Sequence, residues 1–218
     1  MRKVVFGFTL ISALLFCANS AQAQLWEKAH VGRFNRVEAG VEVRPIVDVG
    51  FNYKKNPVNP GPYVKVTFGN DRAVMSVDAS FHSETKNLRS AADGPGRSFR
   101  TETRGDIILG RRVGLGGGLL TAVNSNALRT TYPYIDGRAF FALDRQSLLE
   151  LYGNYSPKSF GSQYGTKFAR GGADYTHKKG RYGFSAGAFF GRAWTTATAE
   201  AQTFIVGGRV TFSIFQNK

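Results

Sequence analysis

The chain has 218 residues and carries 29 Lys and Arg against 15 Asp and Glu, a formal net charge of +14. That length suits one domain with a full core, and a 42% hydrophobic content excludes a disordered tail. Its 26 glycines, 18 Phe, 9 Tyr and 2 Trp favour strands and turns over long helices, and the positive charge calls for an anionic partner, whether nucleic acid, lipid head groups or lipopolysaccharide phosphates.

The N-terminus narrows that choice. Met1-Arg2-Lys3 is a short basic start, Val4 to Ala18 is an almost unbroken apolar run, and Asn19 to Ala23 closes on Ala21-Gln22-Ala23. This is the three-part pattern of a secretory signal, with cleavage expected between Ala23 and Gln24. A spanning helix needs about 20 apolar residues, more than this run supplies. Cys17, the single cysteine, lies inside the signal, so residues 24–218 hold no thiol and no cysteine-based metal site. A lipoprotein signal would place a small residue before the cysteine, where Phe16 stands. The expected organisation is a signal peptide at 1–23, an N-terminal tail at 24–35 and one barrel domain at 36–218.

From residue 36 onward, apolar and polar side chains alternate, the period of a strand with two unlike faces. Val37, Ala39, Val41, Val43, Val47 and Val49 alternate with Glu38, Gly40, Glu42, Arg44 and Asp48. Pro45 is an anomaly there, because proline removes a ladder hydrogen bond and marks a bulge or a shortened strand. Similar alternation runs through 73–82, 134–143, 149–155, 182–191 and 204–214, and more weakly near 62–69, 98–110, 113–123 and 168–177. Ten strands are predicted. Tight turns at 69–71, 110–112, 144–146 and 178–181 alternate with polar, Gly/Pro/Ser/Asn-rich connections at 54–61, 84–97, 124–131, 156–167 and 195–202. Short turns on one side and long loops on the other describe a closed, up-and-down transmembrane barrel.

Alternation alone does not say which face is inside. The polar face carries Glu38, Glu42, Asp48, Asp78, Glu102, Asp106, Asp136, Glu150 and Asp174, set against Arg44, Arg100, Arg104, Arg138, Arg170 and Arg209. Lysine falls almost wholly in loops, turns and termini, with Lys65 the exception. Arginine is favoured where charges pair at close quarters, since its planar fork grips a carboxylate in two places. These residues are therefore expected to form an enclosed lumen charge network. Glycines and Tyr134, Phe140, Tyr152 and Phe189 on the same face would fill a narrow lumen. Phe51, Tyr53, Phe99, Tyr155, Tyr175, Tyr182, Phe190 and Phe212 cluster near strand ends on the apolar face, as interfacial girdles do.

In this pattern the chain resembles the small outer-membrane barrels of Gram-negative bacteria, the OmpA-transmembrane-domain and OmpX-like group. The resemblance covers the whole of residues 24–218 and rests on architecture. It implies an all-β, closed antiparallel up-and-down transmembrane β-barrel of ten strands (eight as the alternative) in the cell outer membrane. It implies as partners the outer-membrane lipid and lipopolysaccharide, and the barrel-assembly machinery during biogenesis. Many such barrels end in an aromatic residue; here Gln216-Asn217-Lys218 follow Phe215, and Phe212 and Phe215 lie in opposite registers.

No enzyme site emerges. His30, His82 and His177 lack metal-ligand spacing. His82-Ser83-Glu84 sits at a strand end, but adjacent strand residues diverge to opposite faces. The glycine run at 114–118 lacks the helix and the Gly-Lys-Ser/Thr ending of a phosphate loop. The basic residues at 54–55, 86, 89, 97, 129, 158 and 167 fall in long loops that would meet lipopolysaccharide phosphates. No nucleic-acid module is evident. The expectation is a monomeric, cofactor-free, non-enzymatic barrel with a structural or surface-interaction role. A narrow porin-like channel for small solutes and a soluble periplasmic β-barrel binding protein are the alternatives.

Overall fold

The computed structural model describes residues 35–43, 46–48, 60–70, 72–83, 97–110, 112–124, 129–161, 166–195 and 202–216. The signal segment, the tail up to Phe34, Arg44, Pro45, Phe51 and Tyr53 lie outside them.

The strands are β1 (Arg36–Val43), β2 (Ile46–Asp48), β3 (Pro60–Gly69), β4 (Ala73–Ser83), β5 (Arg97–Leu109), β6 (Val113–Asn124), β7 (Arg129–Ala142), β8 (Ser147–Ser156), β9 (Thr166–Lys179), β10 (Tyr182–Thr195) and β11 (Gln202–Phe215). From β3 onward each pairs antiparallel with its successor, β1 pairs with β3, and β1 also pairs with β11, which closes the sheet. β1 and β2 keep one register against β11: Val43 lies opposite Gly208, and Ile46 opposite Ile205. They are two segments of one strand on either side of 44–45, which lie outside the described residues. The barrel is therefore ten-stranded.

The start of β1, the end of β11 and the four tight turns share one rim. The N–H of Gln216 donates to the carbonyl of Asn35 at 2.8 Å. In the β3–β4 turn, the Asn70 side chain accepts the N–H groups of Arg72 and Ala73 at 2.9 and 3.0 Å. Gly110 and Gly180 hold φ of 55° and 63°, a backbone region that glycine occupies without steric cost. In the β7–β8 turn the N–H of Gln146 donates to Asp144 at 2.6 Å. That bond, with help from Ser147, holds the Asp144 carboxyl below the usual range, so the turn keeps its acid ionised. At the opposite, long-loop rim, Phe160 pairs with Thr131 by N–H to carbonyl bonds of 2.8 and 2.9 Å, folding the start of the β8–β9 connection onto β7.

The faces are arranged opposite to those of a water-soluble barrel. Ile135 is 68% exposed and Val210 62%, whereas Glu42 is 0% and Arg100 3% exposed. Aliphatic residues such as Val64, Val77, Leu115, Leu119 and Leu151 cover the outside. Aromatic contacts flank that band: Tyr175 with Phe184 and Tyr182 with Phe212 toward the short turns, Tyr155 with Trp194 toward the long loops. A soluble binding barrel requires its apolar face inward, the reverse of this arrangement. Tyr134, Phe140, Tyr152 and Phe189 point into the lumen, and Phe212 faces out while Phe215 is fully enclosed.

Candidate functional site

The lumen holds the chain's chemistry. Strand alternation sends Arg36, Glu38 and Glu42 inward from β1, Lys65 from β3, and Asp78 and His82 from β4. Arg100, Glu102, Arg104 and Asp106 enter from β5, Asp136 and Arg138 from β7, Glu150 from β8, Arg170 and Asp174 from β9, and Arg209 from β11. Eight carboxylates thus face seven Lys and Arg and one His among the described residues. The lumen is close to charge-balanced, so the chain's large positive excess resides in its loops, turns and ends.

These groups meet across the barrel. Arg170 grips Glu102 with two bonds of 3.0 and 2.6 Å, and the Tyr134 hydroxyl donates to the same carboxylate at 2.6 Å. β5 and β9 stand four places apart in a ring of ten, so this fork crosses most of the lumen. Arg100 donates to Asp78 at 3.0 Å and lies 3.6 Å from both Glu42 and Glu102. His82 Nε2 sits 3.3 Å from Glu42. Nearer the short turns, Arg138 donates Nε to Asp136 at 2.5 Å, lies 3.4 Å from Asp106 and reaches Glu150 with its Nη1. Arg104 donates to Asp106 at 2.7 Å. Arg36 and Lys65 approach Glu38 at 3.1 and 3.7 Å, and Arg209 joins Asp174 to the Tyr63 hydroxyl.

Aromatic rings fill the space between the charges. The Arg138 guanidinium lies 5.1 Å from the centre of the Tyr152 ring, and that of Arg170 lies 5.7 Å from the same ring. Apolar clusters flank this polar layer on part of the ring. Val74, Ile108, Phe140 and Leu148 pack together at the short-turn end. Leu120, Tyr134 and Phe168 do so at the long-loop end, backed by Tyr132 and Ala193. Between low-dielectric layers, paired charges attract strongly and an unpaired one is costly.

Of the fifteen residues expected in this network, thirteen have described side chains, and all thirteen take part in ion pairs. Arg44 lies outside the described residues; Asp48 has a described backbone only. Arg36, Lys65, His82 and Tyr63 complete the network although the sequence reading left them out. Arg36 shares the parity of Glu38 and Glu42, and that signal was available. Tyr63 and Lys65 lay in a weakly alternating segment, and their partners come from β1 and β11. His82, at the long-loop end of β4, is turned into the barrel onto Glu42 and is 7% exposed. No group of three or more His, Cys, Asp or Glu among the described residues is placed to hold a metal ion.

The glycines of β6 make room for this packing. A Cβ at Gly118 would fall 2.6 Å from the Tyr134 hydroxyl and would also strike the Thr103 carbonyl. Gly118→Val is expected to push Tyr134 off Glu102 and to cost about 1–3 kcal/mol or more. The check is the loss of SDS-resistant, folded protein relative to wild type after refolding into detergent.

No protein-family model matches the chain, and no curated protein matches it. Among solved structures, the chain is similar to Ail, the attachment invasion locus protein of Yersinia pestis, at 11% identity and a TM-score of 0.38, with 83% of this chain and 99% of that one covered. It is similar to the outer membrane protease OmpT from Escherichia coli at 7% identity and a TM-score of 0.44, covering 82% and 95%. It is also similar to CymD, a monoaromatic hydrocarbon channel, at 7% identity and a TM-score of 0.31, covering 85% and 90%.

Proposed function

We propose that the chain is a monomeric, non-enzymatic barrel of the Gram-negative outer membrane, sealed along its axis, with a structural and surface-presenting role. The observation that carries this reading is the reversal of faces: paired charges fill the lumen while aliphatic side chains occupy the exterior. Only a surrounding apolar phase makes that distribution stable, and a closed barrel leaves no unpaired strand edge within it. The spanning strands reach up to fourteen residues, enough to cross a hydrocarbon core at a tilt.

The residues at 1–23 supply an export signal, and the short-turn rim, which carries both ends of the barrel, faces the periplasm. The long loops then face outward, and Arg129 and Lys158 on that side meet lipopolysaccharide phosphates. Assembly proceeds through the barrel-assembly machinery. The non-enzymatic reading is supported by the same geometry: ionisable side chains of the lumen engage one another in ion pairs.

Fractionation followed by electrophoresis with and without boiling tests the reading. Recovery in the outer membrane is expected, together with a faster-migrating unboiled band, because a closed barrel resists SDS until heated. Recovery in the soluble periplasm without a heat-dependent shift would overturn it.

A further inference from the structure

On the outward surface of β9 to β11, Ala173, Ala186, Ala188 and Gly208 stand together, with Ala188 opposite Ala173 on one side and Gly208 on the other. Walled by Leu149 and Val210, they floor an open groove of about 790 Å³.

Toward the short turns the groove runs onto a polar anchor. Tyr175 belongs to both: its ring lines the groove, and its hydroxyl donates to Ser147 Oγ at 3.1 Å. Ser147 Oγ also lies 3.0 Å from His177 Nδ1, and Phe184 packs against Tyr175 and His177 at 5.8 and 5.6 Å. One turn beyond, the N–H of Lys178 donates to the carbonyl of Gln146 at 2.8 Å, which ties the β7–β8 and β9–β10 turns together. These joined turns expose Arg145, Lys179 and Arg181 against a single acid, Asp144, whose carboxylate is already engaged by the Gln146 N–H.

We propose that this surface binds one anionic glycerophospholipid of the periplasmic leaflet, an inference that rests on the outer-membrane reading above. The depth-ordered chemistry matches the molecule. Small residues admit acyl chains, the Tyr175, His177 and Ser147 hydroxyl and imidazole groups stand at the level of the glycerol esters, and three cations meet the phosphate. A zwitterionic head group would bring its own ammonium up to those cations; an anionic one does not.

The test is native mass spectrometry of the full barrel extracted in mild detergent from outer membranes, then titrated with phosphatidylglycerol or phosphatidylethanolamine. One retained phosphatidylglycerol per barrel is expected, favoured over phosphatidylethanolamine on the order of ten-fold or more. Ala188→Phe, which fills the groove from the lipid side, is expected to abolish retention. Arg145→Gln with Lys179→Gln and Arg181→Gln is expected to remove the preference while leaving the heat-dependent shift intact. Equal binding of both lipids, retention by Ala188→Phe, or no lipid on barrels that still shift on boiling would overturn the proposal alone. So would a dimer dissolved by Ala188→Phe, which would mark the groove as a contact between copies. Recovery as a soluble protein with no shift would overturn the outer-membrane reading, and this one with it.

Discussion

Arg138→Ala is expected to destabilise the folded barrel by about 3–5 kcal/mol, the scale on which breaking a buried ion pair exceeds the worth of the pair itself. Arg138 is the shared partner of Asp136, Asp106 and Glu150, and its planar group also covers the Tyr152 ring. Truncation leaves these carboxylates in a layer bounded by the Phe140 and Leu148 cluster, with Arg104 the one remaining cation beside Asp106 and Asp136. Arg138→Lys keeps the charge but loses the two-pronged reach, so an intermediate loss is expected. Adding Asp136→Asn and Glu150→Gln to Arg138→Ala removes two of the stranded charges and is expected to recover much of the deficit. Urea unfolding of the barrel in lipid vesicles, followed by far-ultraviolet circular dichroism and the gel shift, gives the comparison. A variant within about 1 kcal/mol of wild type, the range of exposed ion pairs, would mean that this cluster is hydrated.

The second large effect concerns conduction. Wild-type barrels are expected to be silent in planar bilayers, since ions would have to cross two apolar layers and the Glu102–Arg170 fork between them. Opening one layer is not enough. Glu102→Ala with Arg170→Ala removes a balanced pair from the middle, yet the Phe140 and Phe168 clusters still seal the ends. Adding Phe140→Ala, Leu148→Ala, Leu120→Ala and Phe168→Ala opens all three levels, and stepwise conductance is expected only then. The heat-dependent shift of each variant establishes that it has folded before its current is read. A wild-type barrel that conducts would replace the sealed reading with the narrow-channel one. Silence in the fully opened, folded variant would locate the seal in the long connections instead.

Much of this was legible in the residue order. Period-2 alternation depends only on strand geometry, so the side chains sharing a face could be read before any pairing was known. The turns are as local: Gly110, Gly180, Asn70 and Asp144 each act within three or four residues. Arginine in place of lysine on the polar strand positions was a further local sign, because the choice reflects enclosure. Lys65 marks its limit: a lysine buried against Glu38 breaks the rule and was found only through its partner.

Partners were not legible, because closure determines them. Glu102 and Arg170 are 68 residues apart, and Arg209 and Tyr63 are 146 apart. Their meeting depends on ring size, strand stagger and the register of every intervening pair, none of which alternation carries. The same holds for the apolar layers. Val74, Ile108, Phe140 and Leu148 read as breaks in four separate polar faces, and become one cluster only when β4, β5, β7 and β8 are wrapped to the same height. Pro45 made a bulge or a shortened strand legible in the sequence, but that β1 and β2 are one strand was decided by β11, which holds both segments in a single register. By itself the sequence determined ten amphipathic strands and the residues each sends to either face, because those depend on neighbours along the chain. The tertiary structure alone decided which charges neutralise one another and which apolar side chains cluster in the lumen, because those depend on neighbours around the ring.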